Sequence, residues 1–297
     1  MRDVDAKISI TVPNSLSSCL DEPLLASWAT TADFHKVVLL QTYVDEAAFF
    51  FGAIQSYLSS RNPATVLEVG SGIGLLSLLI STTGPVVTSL EPESAGFGSM
   101  VEFRELILKA WKGPVGECQF SPSMLGDIPA GTEPFDLVVA INVIEHVPKY
   151  EELLSQMIQA ASSTGSVWVV CPNYAFPFEQ HLSIPLLFTK TFTWQALGAH
   201  VRKNTSMNRV EDFWSDLSWP TQSRIRKTLD HQGYRHSFSR ATFLAYIERL
   251  SEPRFVLRKG LIFALLRPLR PILRLVGERW PIRILPVIEV WIAKAKG

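Results

Sequence analysis

The chain has 297 residues, of which 47% are hydrophobic and 19% charged, with 28 basic and 28 acidic side chains. That length can bury a sizeable core, and the composition excludes a disordered or collagen-like chain. The zero balance hides an asymmetry: residues 254–297 hold ten Lys or Arg against two Glu, about +8, which leaves about −8 on the rest.

Taken in order, residues 1–62 read as an irregular start followed by a helix from Asp33 to about Ser60, with Phe34, Tyr43, Phe49, Phe50, Phe51 and Tyr57 to pack against something large. The rhythm then changes. Thr65–Val69 is a short apolar strand, and a glycine loop and a helix through Leu75–Ile80 follow it. Pro85–Leu90 is a second strand, ending at Glu91. A helix is expected from about Ala95 to Trp111, with a weak third strand near Glu117–Phe120. Phe135–Ile141 is a fourth strand, Tyr150–Ala161 a helix and Ser166–Cys171 a fifth strand. Strands that are nearly continuous apolar runs and alternate with helices predict an α/β fold, a doubly wound and mostly parallel sheet with helices on both faces.

Beyond the fifth strand the pattern is lost. Residues 174–220 are rich in Phe, Trp and Pro and are expected to form an insert or lid, with Trp194, Trp214 and Trp219 serving equally well as pocket walls or as core. Thr221–His231 looks helical, a basic apolar helical region follows, and Val287–Ala293 is the last strand. We therefore expect one domain over 1–297, made of an N-terminal cap (1–62), a cofactor core (63–173), the insert (174–220) and a C-terminal part (221–297).

The glycine loop, Glu68-Val-Gly70-Ser71-Gly72-Ile-Gly74, carries the first chemistry. Small residues between a strand and a helix let a ligand approach the backbone and meet unpaired N–H groups of the helix start. Dinucleotide-binding folds share such glycines. The acid two residues before the first glycine favours a different ligand, because Glu68 can bond to the amino group of a methionine moiety, directly or through water. Glu91, seventeen residues after Gly74 at the end of the next strand, can reach both ribose hydroxyls of a nucleoside.

Next come Phe135-Asp-Leu-Val-Val-Ala-Ile-Asn142-Val-Ile-Glu145-His146-Val. With the two elements before them, these residues resemble the fourth strand and following loop of S-adenosylmethionine-dependent methyltransferases of the Rossmann-like class, over about residues 64–175. Pro172-Asn173 and Glu179-Gln-His181-Leu-Ser-Ile-Pro185 are similar to the family's later pattern. The resemblance implies S-adenosylmethionine as cofactor, with Glu68, Gly70, Ser71, Gly72, Gly74, Glu91 and Asn142 around it. The family's acid for the adenine amino group falls on Met124 here. Backbone groups with apolar contact from Met124 and Leu125 are expected instead, with Asp127 as second choice.

The methyl of a sulfonium is already activated, so a protein has chiefly to align the acceptor and take its proton. His146 and His181 both follow strand C-termini. His181, near Glu179 which can orient it, is the expected base; His146 serves either catalysis or local structure. Some relatives acting on quinone precursors use an acid–His pair at the Glu145–His146 position for a divalent ion. No third ligand is evident, so no metal is expected. The acceptor is read as a hydroxyl on a small molecule, sugar or lipid-linked intermediate. A non-catalytic nucleoside-binding module and a nucleotide-dependent oxidoreductase remain as alternatives.

Cys19, Cys118 and Cys171 lie far apart without Cys-x-x-Cys or zinc spacing, which points to a reducing compartment. The start lacks a secretion signal and no stretch reaches the eighteen or so apolar residues that a spanning helix needs, so a cytoplasmic protein is expected. In the basic tail Arg267, Arg270 and Arg274 share a helical face, while Pro268 and Pro271 should kink or divide the helix. Such a segment fits the interface of an anionic membrane, the favoured partner, or a cap packed on the sheet; nucleic acid is not expected.

Overall fold

β1 (Thr65–Val69) and β2 (Val86–Leu90) run parallel, with Thr65 opposite Val86 and Val69 opposite Leu90; β3 (Cys118–Ser121) runs parallel to β2. β4 (Phe135–Ile141), β5 (Ala161–Pro172), β8 (Arg235–Ser239) and β9 (Val287–Ala293) complete a seven-stranded sheet in the order β3-β2-β1-β4-β5-β9-β8. β6 (Phe178–Glu179) and β7 (Ile184–Pro185) form a separate antiparallel hairpin. The expected α/β class, a mostly parallel sheet with helices, is what the chain adopts. This computed structural model describes residues 10–92, 98–114, 116–129, 131–205, 210–252, 255–256 and 261–294, and packing divides the chain into two units, 1–137 and 138–297.

In the first unit the helices are α1 (Glu22–Ala29), α2 (Phe34–Arg61), α3 (Leu75–Ser81) and α4 (Gly98–Ala110). The expected start of α4 near Ala95 lies outside the described residues. Asp33 precedes α2 as expected, although its side chain makes no capping bond, and Asn62 ends the helix in the left-handed conformation. By length and composition α2 could cross a membrane, which overturns the expectation that no stretch qualifies. Its buried residues, Val37, Leu40, Val44, Ala47, Phe50, Ile54 and Leu58, recur every three or four positions, the pattern of a helix packed along one face. All seven residues of α3 are buried, so the helix that follows the glycine loop is anchored along its whole surface.

The second unit holds α5 (Tyr150–Ala160), α6 (Lys190–Asn204), α7 (Val210–Asp216), α8 (Gln222–His231), α9 (Ala241–Glu248), α10 (Leu261–Leu266) and α11 (Arg270–Arg279). β9 is antiparallel to both β5 and β8, and the facing Trp168 and Trp291 stack with ring centroids 5.5 Å apart. The expected insert is ordered rather than patternless: Tyr174, Ile184, Val201, Val210, Trp214 and Leu217 form a core of their own. Trp194 stacks on Trp214 at 5.3 Å, and Trp214 meets Trp219 edge-on at 5.7 Å, which makes these rings core material. Thr189 and Thr221 cap α6 and α8 by accepting from Phe192 N–H and Arg224 N–H. The prolines divide the basic segment as expected, with Pro268 in a 3-10 turn (Arg267–Leu269) and Pro271 in the first turn of α11. Arg254, Arg258 and Lys259 of that segment lie outside the described residues. All three cysteines are free.

Candidate functional site

The glycine loop is held by its backbone. Gly70 N–H and Ser71 N–H both donate to Leu90 O, at 2.8 and 3.0 Å, and Gly74 N–H donates to Ser71 O at 2.8 Å. Gly70, Gly72 and Gly74 take φ of 70°, 55° and 75°, the left-handed region that only glycine enters cheaply. The two inner positions need glycine for different reasons. A Cβ on Gly74 would overlap the ring of Phe120, whereas a Cβ on Gly72 would meet nothing within 4 Å and costs only its conformation.

Two carboxylates border this loop. Glu91 Oε2 accepts from Gly72 N–H at 2.7 Å, and Arg104 Nη2 donates to Gly72 O at 2.8 Å. Burial raises the Glu91 carboxyl, against the lowering effect of the Gly72 N–H. Glu68 is buried behind the loop, where Ser77 Oγ donates to it. Burial pushes its carboxyl up to about 7, the Ser77 bond opposes this, and the charge of Glu91 adds to it. The charge of Glu91 thus disfavours the ionised form of Glu68, and a cation bound beside Glu68 would relieve this. Leu125 is buried and Met124 is 63% exposed, its N–H donating to Asp127 Oδ2 at 2.9 Å. The Asp127 carboxylate is thus engaged locally.

The second unit brings the histidines together. Asn142, at the end of β4, is left-handed at φ 53° and its N–H donates to Val170 O at 2.8 Å. The 3-10 turn Ile144–His146 follows, with Glu145 fully buried. Ser218 straps this turn: its N–H donates to Glu145 O at 2.8 Å and its Oγ to Ile144 O at 3.0 Å. From the β6–β7 hairpin come Glu179, also fully buried, and His181, whose Nδ1 donates to Glu179 Oε1 at 2.7 Å. Leu182 N–H donates to Glu179 Oε2 at 2.6 Å and Tyr174 OH to Oε1 at 3.3 Å. Burial works to raise Glu179, but the bond from His181, its charge and the Leu182 N–H outweigh it and hold the carboxyl low. An ionised Glu179 on Nδ1 fixes the tautomer and leaves Nε2 of His181 as the ring's acceptor.

The His146 and His181 rings sit 5.2 Å apart edge to face, and Phe213 of α7 lies 5.6 and 5.4 Å from them. Burial, then the neighbouring His181, lowers the His146 imidazole to about 4, so it is neutral at ordinary pH. One donor atom each of Glu145, His146 and His181 lie within 4.8 Å of one another. The third donor that the sequence did not reveal is therefore His181, brought in by the hairpin, and the three could hold a divalent cation. Sequence reasoning also missed Ser77, Arg104, Phe213 and Ser218. Only Ser77, on the helix opened by the glycine loop, carried a local signal.

A doubly wound sheet whose first strand opens into an acid-flanked glycine loop defines the class of nucleoside-cofactor proteins. A methyltransferase-domain family matches residues 42–236, and the chain belongs to it. It is 29% identical over 166 residues to uncharacterized proteins from two Mycobacterium tuberculosis strains, CDC 1551 / Oshkosh and H37Rv. That stretch covers 55% of this chain and only 55% of theirs. Among solved structures, the plantazolicin methyltransferase BpumL in complex with SAH matches with TM-score 0.50 and 12% identity, over 92% of this chain and 94% of that one. The same enzyme with a monoazolic desmethylPZN analog and SAH matches with TM-score 0.50 and 12% identity, over 91% and 93%. At that identity the likeness is one of fold.

Proposed function

We propose that this protein transfers a methyl group from S-adenosylmethionine to an acceptor hydroxyl, on a small molecule, sugar or lipid-linked intermediate. The observation that carries the reading is the pair of carboxylates at the glycine loop, Glu91 on Gly72 N–H and Glu68 behind it. A dehydrogenase would bring a pyrophosphate to the loop beside Glu68, which an acid there opposes; the ammonium of a methionine moiety is a cation that Glu68 favours, and Glu91 is left to the ribose hydroxyls. Binding of SAH by the BpumL enzyme, on the same fold, supports the same choice.

In this reading the acceptor oxygen attacks the methyl carbon, the C–S bond breaks as the C–O bond forms, and the electron pair leaves on sulfur as a neutral thioether. The acceptor's proton passes to Nε2 of His181, with Glu179 stabilising the imidazolium through Nδ1. Holding the acceptor in line does most of the remaining work. Calorimetry with S-adenosylmethionine and its demethylated product tests the cofactor, and failure of both to bind removes the reading. Methyl-labelled cofactor with a panel of hydroxyl acceptors tests turnover; binding without turnover across the panel favours the non-catalytic module.

The clustered donors favour a second reading of the same chemistry, in which Glu145, His146 and His181 would hold a divalent cation and its Lewis acidity would be available to an acceptor oxygen. Loss of turnover on chelation, restored by added metal, supports it, and indifference to chelation leaves His181 as the base.

A further inference from the structure

The C-terminal helices leave an apolar face open that neither unit core nor catalysis uses. Of the fifteen large apolar side chains exposed among the described residues, seven fall within residues 265–284. They are Leu265, Leu269, Ile272, Leu275, Val276, Trp280 and Ile284, and exposure reaches 66% at Leu265 and 59% at Ile272. This is not a failure of packing. α10 and α11 already bury another face on α9: Phe263, Leu266 and Leu273 pack with Ile247 and Leu250, and Gly277 sits too close to Phe243 to accept a Cβ. Arg270 and Arg274 lie on that inner side, where their guanidinium groups pair with Glu248 at 3.2 and 2.5 Å. In α11 the outward residues Ile272, Leu275 and Val276 sit at i, i+3 and i+4, so they share one face away from α9.

Charge says what covers this face. Residues 261–284 carry five arginines and one glutamate, a net charge of +4. Arg279 and Arg283 are exposed beside the apolar strip, and no ion pair among the described residues engages them. A second copy of the same face would set Arg279 and Arg283 against their like across a contact, which like charges oppose. A surface with an apolar interior and an anionic rim answers both features, and Trp280 at the end of the strip suits the boundary between them.

We propose that this face docks on an anionic lipid bilayer, with Leu265, Leu269, Ile272, Leu275, Val276 and Trp280 entering the interface and Arg279 and Arg283 meeting the headgroups. The docking stands apart from the methyl-transfer reading, and its test needs no substrate. The whole protein is sedimented with vesicles of equal phosphatidylglycerol and phosphatidylcholine, and with phosphatidylcholine alone. It should co-sediment with the first and not the second, and added salt should weaken the binding. Ile272→Asp with Leu275→Asp should lower the partition coefficient about tenfold or more. Arg279→Gln with Arg283→Gln tests the same face without touching an apolar residue and should remove most of the salt-sensitive part. Both pairs change exposed side chains, so the parent's melting profile should persist. Parent protein that stays in the supernatant with anionic vesicles overturns the proposal. So does equal sedimentation of parent and both variants, or a concentration-dependent dimer that Ile272→Asp with Leu275→Asp dissolves.

Discussion

The glycine loop and the histidine cluster are built on opposite principles. In the loop, backbone geometry does the work: three left-handed glycines and N–H groups on Leu90 O set the shape, and side chains only border it. In the cluster, side chains from the turn after β4, the hairpin and α7 converge, and backbone serves as strapping through Ser218. The first kind of site tolerates little change in chain path. The second tolerates little change in side-chain chemistry, and substitutions should separate the two.

The largest effect is expected in the cluster. His181→Ala should lower turnover by about 10²- to 10⁴-fold while cofactor affinity stays near that of the parent. Steady-state kinetics beside calorimetry reads both, and a matching loss of cofactor affinity would erase the distinction between the sites.

Glu68 should dominate the loop's response to pH. Its folded carboxyl stands near 7, above the ordinary 4.5, so the free protein's folded state holds the proton more tightly than the unfolded chain. That contribution to stability is complete below pH 4.5 and is lost as pH rises through about 7, a span worth roughly 3 kcal/mol. Urea unfolding at pH 5 and pH 8 should show it, and Glu68→Gln should flatten the difference. A cationic cofactor favours the ionised form, so its binding should strengthen as pH rises through 7 and release a proton below it. Calorimetry in buffers of different ionisation enthalpy counts that proton.

Glu91→Ala should weaken S-adenosylmethionine binding by about 1–3 kcal/mol with little effect on the histidine cluster. Smallest of all, Ser218→Ala removes the hydroxyl bonds to Ile144 O and Glu145 O but keeps the backbone bond, and should cost about 1 kcal/mol in thermal or urea unfolding. If Ser218→Ala instead cost turnover heavily, the turn it straps would be a positioning element rather than scaffolding.

The same contrast explains what the sequence made legible. The loop is local: five residues of apolar strand, three glycines and a buried helix stand within Thr65–Ser81, so pattern alone marks it. Glu179 and His181 are two residues apart and could be paired from sequence. Their meeting with Glu145 and His146 depends on a short hairpin of two-residue strands that no periodicity announces. β8 was missed because Arg235-His-Ser-Phe-Ser has no apolar alternation, as suits a strand at the sheet edge. α6 was missed because its buried positions are Thr193, Gly198 and Val201, too small to read as an apolar stripe. In the tail, sequence grouped Arg267, Arg270 and Arg274 as one stripe, whereas Arg270 and Arg274 turn inward to Glu248 and leave the outward strip to leucine, isoleucine and valine.

β9 sits between β5 and β8, and among the described residues β8 has β9 as its one sheet neighbour. During synthesis, β8 therefore emerges long before the strand that gives it a partner, and its backbone groups must wait through α9, α10 and α11. Buried Glu289 on β9 also accepts from Thr242 N–H at 2.8 Å and from Trp168 Nε1 at 3.4 Å, so the start of α9 and the centre of β5 are completed by the same late segment. Nascent chains released before Val287 should thus expose an unpaired edge of β5, the kind of surface that recruits chaperones or aggregates.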